Sequence, residues 1–256
     1  MLAAVVLAAG QGTRMRSSLP KVLHEAAGRP LLEHVLLAVT PLEPEVTVVV
    51  VGHKADEVRA RFRNVPVAAG VTWVLQREQL GTGHALAQAR GVLEGPLGAG
   101  GAVLVVNGDG PLLRTETLRA LAAEQLEQGE GMTLLTCEVA DPTGLGRIVR
   151  RADGSVLRIV EEKDASPEER AIREINPGIY AFDAHVFSLL ERLSSDNASG
   201  EFYITDLVGL YLEAGLPVRA VLGRDETEVL GVNTPEQLGR ADALLRARLG
   251  ADVEHP

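Results

Sequence analysis

Arg14 and Lys21 stand just beyond a glycine-rich turn, Gly10-Gln11-Gly12-Thr13, which directly follows the apolar run Leu2–Ala8. A strand that feeds a Gly-x-Gly loop lets main-chain N–H groups approach phosphate oxygens. Glycine adopts the required backbone angles and puts no side chain in the way. Two cations beyond such a loop would neutralise a triphosphate and stabilise the charge of a departing pyrophosphate. Other readings of the glycines compete. A dinucleotide-binding fingerprint needs a third glycine where Met15 stands. A Walker A loop needs four residues between its glycines and then Gly-Lys-Ser/Thr, which this segment lacks. A plain strand-to-loop turn accounts for the glycines but not for Arg14 and Lys21.

Two further side chains sit where apolar runs end. Asp109 follows Ala102–Val106, and Gln76 follows Val71–Leu75. In open α/β sheets ligands meet the carboxyl ends of the strands. A lone Asp in a turn is ordinarily a local hydrogen-bonding device. Beside a polyphosphate it is also a natural Mg²⁺ ligand, because Mg²⁺ takes hard oxygen donors and keeps several waters. The Gln76 amide offers both donor and acceptor, which suits the edge of a uracil ring. Taken alone, Glu161 in Glu161-Glu162-Lys163-Asp164 reads as a solvated charge run, and His24, His53 and His84 show no spacing of a metal triad or a base. These histidines are expected to be structural or surface residues.

Elements to position such groups are visible in the hydropathy pattern. Leu2–Ala8, Val46–Val51, Val71–Leu75 and Ala102–Val106 do not alternate polar with apolar, which predicts strands buried on both faces. Amphipathic stretches at Leu31–Val39, Asp56–Phe62, Thr82–Leu93 and Glu116–Glu127 predict the intervening helices. That alternation belongs to an α/β fold with a doubly wound sheet. After Met132 the pattern changes to strand-like segments at Thr133–Val139, Gly146–Arg150, Val156–Val160 and Ile175–Phe182. Ser166-Pro167-Glu168-Glu169 predicts a short helix with a capping box. Helices return at Ala184–Arg192, Thr205–Glu213 and Pro235–Leu249, the last ending near Gly250 before a frayed tail.

The bulk properties exclude several classes. With 35 acidic and 25 basic residues the net charge is −10, which argues against a nucleic-acid surface but allows small phosphorylated ligands. The single cysteine, Cys137, leaves no intrachain disulfide and no cysteine-rich zinc site, and is expected to be a small buried residue. The apolar Met1–Ala9 lacks a preceding basic segment and is cut short by Gly10, so it reads as a first strand rather than a signal peptide. No apolar run approaches the roughly 20 residues of a membrane-spanning helix, and a cytoplasmic protein without a membrane partner is expected.

Leu7–Met15 with Pro20-Lys21-Val22-Leu23 resembles the signature of sugar-nucleotide pyrophosphorylases. The resemblance runs along essentially the whole chain. It takes in Gln76 with Gly81-Thr82-Gly83-His84-Ala85, Gly108-Asp109 before Pro111-Leu112, and Pro142–Ile148. It continues through Ile159–Ala165, Glu174-Ile175-Asn176, Gly200–Asp206 and Gly231-Val232-Asn233. Within the family the chain is most similar to the uridylyltransferases that act on N-acetylglucosamine 1-phosphate.

The resemblance implies a Rossmann-like doubly wound mixed sheet of the nucleotide-diphospho-sugar transferase type with a smaller β-rich sugar-binding lobe. It implies a nucleotide part at about 1–131, a sugar part at about 132–233 and a C-terminal helix at 235–249. Leu7, Ala8, Ala9, Gly10, Gly12 and Thr13 would line the nucleotide site, with Arg14 and Lys21 catalytic. Gln76, Gly81 and Thr82 would read the pyrimidine, and Gly108 and Asn233 would also bind substrate. Asp109 and Asn233 would hold Mg²⁺, while Gly146, Glu161 and Asn176 would hold the sugar. The partners implied are UTP and a sugar 1-phosphate. Related readings are the same chemistry on another sugar such as glucose 1-phosphate, or a module that binds nucleotide sugars without turning them over.

The chain departs from the family pattern at Asn107, at Pro177, which holds Asn176 extended, and at Gly110, where Val, Thr or Cys is usual. Bifunctional members continue into a β-helix that carries acetyl transfer and forms a trimer. No six-residue β-helix period is present in this sequence, so neither property is expected of it.

Overall fold

Strand β1 (Leu2–Ala8) is apolar throughout because both its faces are covered, and Ala3–Val6 are wholly buried. The computed structural model describes residues 1–98 and 100–254. After β1 come two single 3₁₀ turns and a hairpin of β2 (Glu25–Ala26) and β3 (Arg29–Pro30). Then follow α1 (Leu31–Val39), β4 (Val46–Val51), α2 (Ala55–Phe62) and β5 (Thr72–Leu75). Next are α3 (Thr82–Ala87), α4 (Arg90–Leu97), β6 (Ala102–Asn107), α5 (Thr115–Gln128) and β7 (Met132–Glu138). The second half adds β8 (Gly146–Arg150), β9 (Val156–Val160), α6 (Pro167–Arg170), β10 (Glu174–Asn176) and β11 (Tyr180–Phe182). It closes with α7 (Val186–Leu190), α8 (Leu207–Glu213), β12 (Val218–Gly223) and α9 (Pro235–Glu254).

The main sheet has the order β5-β4-β1-β6-β11-β7-β10-β8-β9, with β12 on the free edge of β7. β5, β4, β1 and β6 are mutually parallel, and β11 then pairs antiparallel with both β6 and β7. The result is the doubly wound α/β sheet that the alternation of elements predicts, mixed rather than parallel throughout, as the resemblance implies. Successive side chains of a strand face opposite ways, and the two faces carry separate cores. Ala3 and Val5 pack with Leu86, Leu93, Phe187 and Tyr211 of α3, α4, α7 and α8. Ala4 and Val6 pack with Leu32, Leu36, Phe62 and Leu118 of α1, α2 and α5. Each large side chain enclosed in this way contributes about 1.5–3 kcal/mol.

Several expectations are corrected. The strand at 71–75 is half-buried along β5 rather than covered on both faces, because β5 is the sheet's edge. The helix expected over Thr82–Leu93 is two. The Gln88 side chain donates to the His84 carbonyl at 3.0 Å, while the Gln88 N–H turns to Ala85 O at 3.2 Å. The last turn of α3 is thereby tightened and the helix restarts at Arg90. The strand expected over Ile175–Phe182 is also two, since Pro177 offers no N–H and Gly178 turns the chain at φ 79°. Strand β12 and the β2–β3 hairpin are not foreseen by the sequence pattern. Helix α9 runs past Gly250 to Glu254 rather than stopping at a frayed tail, and His255 and Pro256 lie outside the described residues. The Ser166 capping box forms as expected, with Glu169 N–H donating to Ser166 Oγ and Ser166 N–H to Glu169 Oε2.

The break at Pro177-Gly178 has a consequence for the sheet. β10 and β11 lie end to end along one edge of β7, but β11 also pairs with β6 and β10 with β8. The sheet therefore forks at this break. Asn107, at the end of β6, donates from Nδ2 to Pro177 O at 3.3 Å across the fork.

Candidate active site

From β1 the chain builds outward to β4 and β5 on one side, and β6 lies on the other. The carboxyl ends of β1 and β6 thus form the switch point where open α/β sheets bind ligands. A cleft of about 670 Å³ opens there. Leu7, Ala8, Ala9, Gly10, Gly12, Thr13, Arg14 and Lys21 line it from the β1 side. Gln76, Gly81 and Thr82 line it from the β5–α3 loop, with Asp109, Glu161 and Asn233 completing the wall.

Gly12 makes the tight turn possible. Its φ is 65°, and a Cβ there would stand 2.6 Å from the Lys21 Cβ. The loop backbone and the Lys21 stem pack directly as a result, and Lys21 reaches across the cleft. Its ammonium pairs with Asp109 Oδ2 and donates to Asn233 Oδ1 at 3.0 Å. Arg14 donates from Nη2 to the same Asn233 oxygen at 2.9 Å. Two cations, a carboxylate and an amide oxygen drawn from three distant segments therefore meet at one point.

Asn233 is brought there by its loop and by α9. Val232 N–H donates to Asp109 O at 2.9 Å, and Asn233 N–H donates to Gln237 Oε1 at 2.7 Å. Val232 packs with Met15, Leu31, Leu112 and Leu245, so α9 holds both the phosphate-loop side and the Asn233 loop. Asp242 adds an anchor by accepting from Ala27 N–H at 2.7 Å.

Gln76 is buried at the other end of the cleft, with Nε2 donating to Gly81 O at 3.1 Å. The Gly81–Gly83 loop is clamped to the segment after Ser199. Phe202 N–H donates to Leu80 O at 2.8 Å, Gly83 N–H to Phe202 O at 2.8 Å, and Ile204 N–H to Thr82 Oγ1 at 3.1 Å. Gly81, at φ 111°, has no room for a side chain, since a Cβ would lie 2.6 Å from Phe202 O.

Glu161 accepts from Thr205 Oγ1 at 3.2 Å. Burial raises its carboxyl above the ordinary range, with the nearby Asp164 and Asp206 adding to the rise.

Three residues assigned to the site from the sequence lie outside the cleft wall. Gly108 sits against β1, its N–H donating to Leu7 O at 2.8 Å, and a Cβ would come within 3.2 Å of Ala8 Cβ. Gly146 backs Glu161, whose carboxylate oxygens would be 3.5 Å from a Cβ there. Asn176 donates from Nδ2 to Tyr180 OH at 2.7 Å and accepts from Gly178 N–H at 3.2 Å.

Sequence reasoning missed Gln79 and Glu201, which line the cleft. It also gave no role to Arg147, which is buried beside Gly146 and joined to Glu162 Oε2 at 2.6 Å. His84, expected to be structural or superficial, lies with Nδ1 3.1 Å from Gln76 Nε2. Only its Gly-Thr-Gly-His context could have pointed to it.

Known proteins resemble the chain over nearly its whole length. The bifunctional protein GlmU of a Thermus thermophilus strain is 51% identical over 255 residues, covering 98% of this chain and 53% of its own. GlmU of Thermobifida fusca is 51% identical over 249 residues, covering 96% of this chain and 51% of its own. The chain thus spans about half the length of these relatives. A Bacillus anthracis crystal structure assigned as a glucose-1-phosphate thymidylyltransferase, in complex with a sucrose, shares the fold. Its TM-score is 0.75 at 24% identity, over 96% of both chains. The model of the MobA-like NTP transferase domain matches residues 4–205, a span that holds the phosphate loop and all of the described cleft wall but Asn233, and the chain belongs to this family.

Proposed function

We propose that this chain transfers a uridylyl group from UTP to N-acetylglucosamine 1-phosphate, releasing UDP-N-acetylglucosamine and pyrophosphate. The observation that carries the reading is the meeting of Arg14, Lys21, Asp109 and Asn233 at the mouth of a glycine-rich loop. The similarity to the GlmU proteins over nearly the whole of this chain supports the choice of substrates.

In this reaction a phosphate oxygen of the sugar 1-phosphate attacks the α-phosphorus of UTP in line with the departing pyrophosphate. The nucleophile is already anionic, so no general base is required. Catalysis rests on positioning and on stabilising charge. Leu7–Thr13 would hold the nucleotide, and the cations of Arg14 and Lys21 would stabilise the α-phosphoryl and the leaving group. Gln76 with the Gly81-Thr82 backbone would read the base. The sugar would sit towards Glu161, with Gly146 and Asn176 shaping its pocket from behind. We assign the nucleotide to about 1–131 and the sugar to about 132–233.

The donor set suits Mg²⁺. Among the described residues no three His, Cys, Asp or Glu side chains cluster as a metal cage. Asp109 and Asn233 nonetheless aim two hard oxygens at one point that already holds the Lys21 ammonium. Two protein oxygens, with the remaining positions left to phosphates and water, is the arrangement Mg²⁺ favours. When bound, the ion would supply charge neutralisation between the two substrates' phosphates. Among the described residues no helix is long and apolar enough to cross a membrane. We place the reaction in the cytoplasm, with small-molecule partners only.

Pyrophosphate release with UTP, Mg²⁺ and N-acetylglucosamine 1-phosphate, paired with glucose 1-phosphate, tests the reading. Preference for the acetylated sugar supports it. Release only with glucose 1-phosphate keeps the chemistry and changes the substrate. Tight UTP binding without release from any pair would leave a binding module.

A further inference from the structure

Gln76 reaches the cleft with one end of its amide already committed. Its side chain is 3% exposed, and Nε2 lies 3.1 Å from the Gly81 carbonyl and 3.1 Å from Nδ1 of His84. A carbonyl oxygen only accepts, so the Gly81 contact fixes which end of the amide is nitrogen. One N–H goes to Gly81 and the other faces His84. Oε1 accepts from no described residue, yet it is not among the buried unpartnered atoms, and the side chain lines the cleft. The atom offered to a ligand is therefore the oxygen.

We propose that His84 is a specificity-determining residue. By accepting from Gln76 Nε2 it locks the amide with Oε1 towards the ligand, and so selects a base that presents a ring N–H, uracil or thymine, over cytosine, which presents a ring nitrogen lone pair there. This rests on the nucleotide-transfer reading of the cleft, with Gln76 at the base. Without His84 only the Gly81 carbonyl opposes turning the Gln76 amide over, so the orientation that offers its nitrogen to cytosine becomes less costly.

The role demands one tautomer. For Nδ1 to accept, the proton of the neutral imidazole must sit on Nε2. That face of the ring meets Gln88, whose Nε2 lies 3.1 Å from His84 Nε2 and 3.0 Å from the His84 carbonyl. A neutral imidazole has one donor and one acceptor, so it cannot accept from both amides at once. The two glutamines therefore compete for its lone pair. Gln88 is half-buried and outside the cleft wall, so its second N–H can turn to solvent while the first keeps the His84 carbonyl. Gln76 is enclosed and tied to Gly81, so the competition resolves in its favour.

The test is the binding of UTP and of CTP, measured by titration calorimetry in the presence of Mg²⁺, on the whole protein and on His84→Phe, His84→Asn and Gln88→Ala. The wild type should prefer UTP. His84→Phe, which keeps a ring but offers no acceptor, should lose on the order of tenfold of that preference, the scale of one buried hydrogen bond. His84→Asn places an amide oxygen near the Nδ1 position and should recover most of it. Gln88→Ala removes the competitor and should leave the preference intact. Equal binding of UTP and CTP by the wild type overturns the assignment, as does full preference in a folded His84→Phe protein. If His84→Phe does not fold, loss of preference in His84→Asn or in Gln88→Ala overturns it. A wild type that prefers UTP but releases no pyrophosphate with any sugar 1-phosphate would remove the transfer reading and leave the role of His84 standing.

Discussion

The Asp109 carbonyl accepts a 2.9 Å hydrogen bond from the Val232 N–H, joining the loop after β6 to the loop before α9. This one main-chain link puts Asn233 beside the Asp109 carboxylate and within reach of Lys21. The two oxygens are useful as a pair only while that link holds. Asp109→Ala leaves the main-chain link in place but removes one oxygen donor. The apparent affinity for Mg²⁺ in pyrophosphate release should weaken by at least roughly 10²-fold, the upper range for loss of even a residue that supports a metal ligand. A Mg²⁺ titration at saturating substrates reads this directly, and an unchanged midpoint would remove Asp109 from the metal site.

Lys21 bridges Asp109 and Asn233, so its charge lies at the centre of the constellation. Lys21→Ala should lower turnover by roughly 10²- to 10³-fold, the scale for a removed charge stabiliser. Thermal unfolding should show a folded protein, because Lys21 belongs to a surface cleft and not to either core. Turnover at the wild-type level in a folded variant would sink the catalytic role.

The two loop glycines should behave differently. A methyl group at Gly10 meets nothing within 4 Å, whereas at Gly12 it falls 2.6 Å from Lys21 Cβ on a backbone at φ 65°. Gly12→Ala should destabilise by about 1–2 kcal/mol from the left-handed backbone alone and should also push the Lys21 stem aside. Gly10→Ala should leave the melting temperature nearly unchanged. Equal melting temperatures for the two variants would show that the loop tolerates a side chain at either position.

How much of this was legible before the fold was known depends on the kind of signal. β1, β4 and β6 were legible because strands covered on both faces carry near-continuous apolar runs instead of alternating with polar residues. The phosphate loop was legible because glycine at a positive φ has few substitutes. β12 was not, since Val218–Gly223 lies along one edge of β7 and is half-buried, so neither alternation nor a continuous apolar run marks it. The division of the 82–97 helix depends on a Gln88 side chain that captures a carbonyl, a contact no periodicity records. In the site, the Asp109–Asn233 pairing came from resemblance alone, because the Val232–Asp109 main-chain link and the packing of α9 that bring the two together leave no mark in the sequence. Gly108, Gly146 and Asn176 carried the same motif signal as the cleft residues but stand one layer behind them.

Glu161 links stability to pH in a definite direction. Burial raises its carboxyl above the unfolded value, so the native state holds the proton more tightly than the unfolded chain. Its contribution is fully favourable below the unfolded value and is lost as pH rises through the folded one. Above the folded value the ionised, buried group costs stability. Glu161→Gln keeps an acceptor for Thr205 and removes the charge, so its melting temperature should exceed that of the wild type at pH 8. The difference should vanish below about pH 4. The same variant should raise KM for the sugar phosphate more than it lowers kcat, and a melting difference that does not depend on pH would contradict the assignment.

Gly110 is the place where this chain gives up rigidity next to its carboxylate. Its φ is not in the left-handed region, and a Cβ would meet only Asn107 O, at 4.0 Å. A small pocket of about 30 Å³ lies behind it, lined by Asn107, Leu113, Ile179 and Glu228. Nothing in the backbone conformation requires glycine there, and the space for a methyl group is present. Gly110→Ala should therefore stabilise the protein by about 0.4–1 kcal/mol, chiefly by restricting the unfolded chain. Since Gly110 is not part of the cleft wall, turnover should be maintained or rise as Asp109 becomes better held. A lower melting temperature would show that the loop needs the freedom of glycine, and higher stability with lost turnover would make that freedom part of catalysis.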